Sequence, residues 1–156
     1  MQVTSRTLVC AVWMTLLVCS CTCGGVSNDF FLMPMEQRDV EFQKYDIETQ
    51  YKIYICGQQR EPPMLELSSP FAREGGRIVP LLKLKLESTD NDLRIRDIVR
   101  LFREMNDLGT YNVAADKSLM EELRSKVSEM KDPAWQKVTE NMLLKIREKS
   151  PTNSKP

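Results

Sequence analysis

The sequence predicts a mainly α-helical protein, and three observations carry that expectation. Apolar residues recur at three- and four-residue spacing through the C-terminal third, capping residues stand where those runs begin, and glycine or proline stands where two of them end. The expected architecture is a small C-terminal three-helix unit over about 92–108, 118–131 and 133–149, joined to a less regular N-terminal half.

From Asp92 to Leu108, Ile95, Ile98, Val99, Leu101, Phe102, Met105 and Leu108 give one broad apolar face. Asp92/Arg96 and Arg100/Glu104 lie one turn apart as opposite charges, and Gly109 stands where a left-handed cap is wanted. The second helix is signalled by Ser118 and Glu121, spaced to satisfy each other's free backbone N–H groups, with Leu119, Leu123, Val127 and Met130 on one face and Glu122/Lys126 paired on another. The third opens with Asp132-Pro133, a capping carboxylate followed by the residue whose fixed φ suits the first helical position. Trp135, Val138, Met142 and Ile146 form its stripe, basic residues gather at its C-terminal end, and Pro151 stops it.

In the N-terminal half two periods compete. Val40, Lys44, Ile47 and Tyr51 have helical spacing, while Tyr51, Ile53 and Ile55 alternate as a strand does. A helix to about residue 49 and a strand over 51–56 are expected. Leu82, Leu84 and Leu86 alternate with Lys83 and Lys85, so 81–86 reads as a second strand that could pair with the first in a short β-ribbon. Between them Pro62-Pro63, Ser68-Ser69-Pro70 and Gly75-Gly76 make 57–80 turn-rich. The alternative is that 57–80 is disordered and 81–86 only leads into the helices.

The first 25 residues follow another plan: Arg6, an apolar run from Leu8 to Val18, then Cys19-Ser20-Cys21-Thr22-Cys23-Gly24-Gly25. That is the order of a secretory signal peptide, and the run is too short for the roughly 20 apolar residues of a spanning helix. Cleavage is expected to leave Val26 as the first residue, giving a secreted, extracellular chain with one small domain over 26–149, a flexible tail over 150–156 and no stable membrane span. No Asn-x-Ser/Thr acceptor occurs, so N-glycosylation is not expected.

Charge and chemistry narrow the function classes. With 22 basic and 22 acidic residues the chain lacks the basic excess that nucleic acid demands. It contains no histidine, which removes the commonest general base and zinc ligand. Asp90-Asn91-Asp92 begins like a calcium loop, but Arg94 and Ile95 stand where a ligand and a glycine belong. No phosphate-cradling or nucleophile-elbow glycine pattern occurs. The expected protein is therefore not an enzyme, and neither a metal nor a cofactor is expected.

No two basic residues are adjacent, so dibasic cutting into several peptides is disfavoured, and Arg100-Leu101-Phe102-Arg103 lies within the strongest helix. The expected role is binding to an extracellular or cell-surface protein, as a cytokine-like or modulatory ligand. The candidate interface residues are Phe30, Phe31, Leu32 and Trp135. Phe30–Met33 either tucks into the core or forms an exposed contact. Cys56, the one cysteine of a chain beginning at Val26, is expected to be buried or to link a disulfide-bonded homodimer. Were the cut upstream of Cys23, a Cys23–Cys56 bridge would be a third option. The alternative function is a helical carrier of small hydrophobic ligands, lined by Met105, Met120, Met130 and Met142.

Overall fold

A computed structural model describes residues 25–149. The expected leader, Gly25 excepted, and the tail over 150–156 lie outside the described residues. Eight α-helices follow in order: α1 Asn28–Leu32, α2 Met35–Phe42, α3 Ile47–Gln58, α4 Ser68–Ala72, α5 Val79–Glu87, α6 Asp92–Leu108, α7 Lys117–Ser128 and α8 Pro133–Glu148. Short 3-10 turns at Leu65–Leu67, Gly75–Ile78 and Val113–Ala115 join several of them. No β-strand forms among the described residues, so both halves of the expected ribbon are corrected to helix.

The correction has a physical reason at each place. In α3, Asp46 caps the first turn through Thr49 N at 2.9 Å, and Gln50, Tyr51, Ile53, Tyr54, Ile55, Gly57 and Gln58 are all buried. A helix covered on most sides loses its polar face, so Tyr51, Tyr54, Ile55 and Gln58 at helical spacing also read as a period of two through Tyr51, Ile53 and Ile55. In α5 only Val79, Leu82 and Leu86 are buried, one helical stripe, while Leu84 points to solvent. Leucine and lysine are good helix formers and Pro80 sits in the first turn, so local preference and packing agree. The turn-rich 57–80 stretch is also ordered into short helices, with Leu67, Phe71 and Ile78 fully buried.

The C-terminal unit stands close to its expected limits, and α6 is its axis. Ile95, Ile98, Val99, Leu101, Phe102 and Met105 are buried, α8 packs against α6 most extensively, and α4, α7, α5 and α3 also pack against it. Gly109 takes φ 69° and closes α6, and Asp132 caps α8 by accepting from Ala134 N and Trp135 N. One continuous core joins the N-terminal phenylalanines to the C-terminal helices.

The expected charge pairs along the helix faces are replaced by other partners. Glu104 accepts from Ser69 Oγ and Glu122 pairs with Lys83 of α5, while Arg96 pairs with its neighbour Asp97 and Lys126 with Glu129 three residues on. A pair one turn apart contributes only a few tenths of a kcal/mol, so other partners, on the same helix or a neighbouring one, readily displace it. The start of α7 also moves: the cap is Asp116, which accepts from Leu119 N at 3.0 Å and from the Tyr111 hydroxyl at 2.6 Å. Asp116→Ala should therefore cost about 1–2 kcal/mol and Ser118→Ala close to nothing in urea unfolding. Equal costs would return the cap to Ser118.

Candidate functional site

The residues singled out as interface candidates separate on folding. Phe30 and Phe31 are buried, so of the two expected outcomes for Phe30–Met33 these positions take core packing. Phe30 stands edge-on to Phe31 with ring centroids 5.1 Å apart and edge-on to Tyr45 at 6.0 Å, and Phe42 lies 6.4 Å away. The Arg60 guanidinium covers the Phe31 ring at 4.7 Å. Leu32 remains at the surface, 70% exposed. An amphipathic five-residue helix turns two aromatic rings inward and its last leucine outward.

Around Leu32 the fold assembles residues the sequence did not single out. Arg38, buried on α2, donates to Met33 O at 2.7 Å and to Phe31 O at 3.4 Å, and pairs with Glu66 in the 3-10 turn before α4. This fixes the α1–α2 corner against that turn. Close in sequence to the bonded groups stand Met35, 59% exposed, and Leu65, 55% exposed. Three exposed apolar side chains thus stand within a few residues, in sequence, of the groups joined by one part-buried ion pair. Their signal is invisible in the chain, because Leu65 is 33 positions from Leu32 and no periodicity links them.

Trp135 lies on α8, half-covered at 36% exposure, with its ring over the Arg96 guanidinium at 4.5 Å. The buried stripe of α8 is Thr139, Met142, Leu143 and Ile146, so Trp135 and Val138 leave the expected core face. Beneath Trp135 runs a polar network. Arg96 donates from Nε and Nη2 to Asp97 Oδ1 at 2.9 and 2.7 Å, and Tyr54 Oη donates to Asp97 O at 2.7 Å. Arg100 donates to Gln58 Oε1 at 2.6 Å, and Gln58 in turn donates to Met64 O at 2.9 Å. Burial holds the Asp97 carboxyl above the usual carboxylate range, against the pull of Arg96 and Arg100. The same cause pushes the Tyr51 hydroxyl up to about 12.

The acidic pairs find structural uses. Asp92 accepts from Lys131 N and Asp132 N, the latter at 2.7 Å, and ties the α7–α8 corner to the start of α6. Asp90 pairs with Lys131 at 3.1 Å, which holds its carboxyl below the usual range. Among the described residues no three His, Cys, Asp or Glu side chains gather as a metal site, and no helix is long and apolar enough to cross a membrane. Leu101 and Phe102, between the two arginines of the minimal cutting sequence, are fully buried. Comparison with family models, with curated proteins and with solved structures gave no significant match.

Surface clefts do exist. One, of about 440 Å³, is lined by Ala114, Lys117, Met120, Glu121, Arg124 and Arg147. Met105, Met120, Met130 and Met142 are all buried within the continuous core, where packing accounts for them. Cys56 borders a cleft of about 400 Å³ shared with Tyr51, Lys85 and Arg94. Cys56 is disulfide-bonded in a structure that contains one chain, and its partner lies outside the described residues.

Proposed function

We propose that this protein is exported and acts outside the cell as a non-enzymatic ligand, by binding another protein at an extracellular or cell-surface site. The observation that supports this reading is that Leu32, Met35 and Leu65 are exposed apolar residues lying, in sequence, next to or near the groups that the Arg38–Glu66 pair and the Arg38 hydrogen bonds hold in place. Exposed apolar side chains around a rigid, internally bonded corner lose little conformational freedom on docking, and their burial drives association. The polar neighbours would serve as a rim that sets orientation.

Leu32→Glu together with Met35→Glu tests the surface directly. Both positions are exposed, so the double variant should keep its unfolding midpoint within a few degrees. Labelled wild-type protein is expected to bind cells of the producing organism saturably, in competition with unlabelled protein. The double variant should lose at least tenfold in affinity, the equivalent of about 1.4 kcal/mol. Equal binding by both proteins would remove this surface from the proposal, and no saturable binding at all would remove the ligand role.

A further inference from the structure

We infer that the export cut falls upstream of Cys23, so that the mature chain keeps a leader cysteine as the disulfide partner of Cys56. The inference rests on the export reading and revises where processing occurs. Three observations lead to it. Cys56 is disulfide-bonded, and the other cysteines of the chain are Cys10, Cys19, Cys21 and Cys23, all ahead of the described residues. A chain beginning at Val26 would hold no second cysteine.

Val26 itself supplies the second observation. It is 5% exposed and belongs to the core. A chain beginning there would set a charged α-ammonium directly beside a buried apolar side chain, an unfavourable neighbour for it. A start several residues earlier leaves an ordinary amide there.

The third is reach. Arg60 donates to Asn28 Oδ1 at 3.2 Å and covers Phe31, so the start of α1 lies beside the end of α3. Cys56 is one helical turn before Arg60. Cys23 precedes Asn28 by five residues, which span up to about 17 Å when extended. That length is to be set against a start of α1 that the Arg60 side chain already joins to the segment just after α3.

The leader also offers the cut. Ser20 and Thr22 stand at the −3 and −1 positions of a cleavage after Thr22, small residues as the rule requires, and Cys23 then becomes the first residue. Bond formation is a thiol–disulfide exchange. Cys56 and the leader thiol lose two protons and two electrons to form one S–S bond, and an oxidised disulfide oxidoreductase of the export compartment accepts them, leaving as its dithiol.

The full precursor is expressed in an exporting host, and the secreted product is read by N-terminal sequencing, intact mass and peptide mapping after alkylation, with and without reductant. Expected are a first residue at or before Cys23 and a Cys56 peptide joined to the N-terminal peptide until reductant parts them. A secreted chain beginning at Val26, with Cys56 alkylated unreduced or linked to a second copy, would overturn the inference and leave export standing. An uncut chain found only inside the cell would overturn both.

Discussion

Ile98→Asp and Leu123→Asp should each abolish the folded state: no cooperative transition in urea, loss of the near-ultraviolet circular dichroism of the buried aromatics, and little or no secreted product. Both side chains are fully buried, Ile98 on α6 and Leu123 on α7. Each substitution forfeits about 2–3 kcal/mol of apolar burial. It also places a carboxylate where no cation is provided, at a further cost of several kcal/mol. A domain of this size is stable by about 5–15 kcal/mol, so the combined loss consumes most or all of it. Leu144→Asp, on the exposed side of α8, is the control and should fold normally. Normal secretion of either core variant would mean that the inward faces of α6 and α7 are wrongly assigned.

The second large effect is expected at Asp97. Its Oδ1 is the acceptor for Arg96 and lies 3.6 Å from Arg100, while Oδ2 is buried without a hydrogen-bond partner. Asp97→Ala strips two partly covered guanidinium groups of their shared carboxylate and should cost about 3 kcal/mol. Asp97→Asn keeps an oxygen toward Arg96 and removes a poorly solvated charge, and should cost about 1 kcal/mol or less. The pH dependence has a definite sign. Because burial raises the Asp97 carboxyl in the folded state, the group's contribution is complete below the unfolded carboxylate value, near 4, and is lost as pH rises through the higher native value. Wild-type stability relative to Asp97→Asn should therefore fall as pH rises from about 4, then level off. A relative gain with rising pH would mean that attraction to the arginines outweighs burial.

The C-terminal helices were legible because each carries its own punctuation. Asp132-Pro133 and Gly109 act within a turn of the backbone they cap, so their meaning does not depend on distant residues. Where the signal was a periodicity alone, it misled. The alternations at Tyr51–Cys56 and Leu82–Leu86 read as strands, yet both segments are helices: α3 is buried on most sides and so hides which residues face water, while in α5 an exposed Leu84 between the buried Leu82 and Leu86 imitates a period of two. The candidate surface was barely legible. Leu32 was visible as part of an apolar run, but the burial of Phe30 and Phe31 beside it and the Arg38–Glu66 pair that holds the neighbouring corner arise from contacts between segments apart in sequence.

Composition by itself determined that the sequence offers no histidine, that charge is balanced, and that the first 25 residues and the rest follow different plans. Local spacing determined the three C-terminal helices. Tertiary structure alone decided which apolar residues remain bare and which cations meet which carboxylates. Such choices depend on desolvation and on distances between elements, quantities that exist only once the chain has packed.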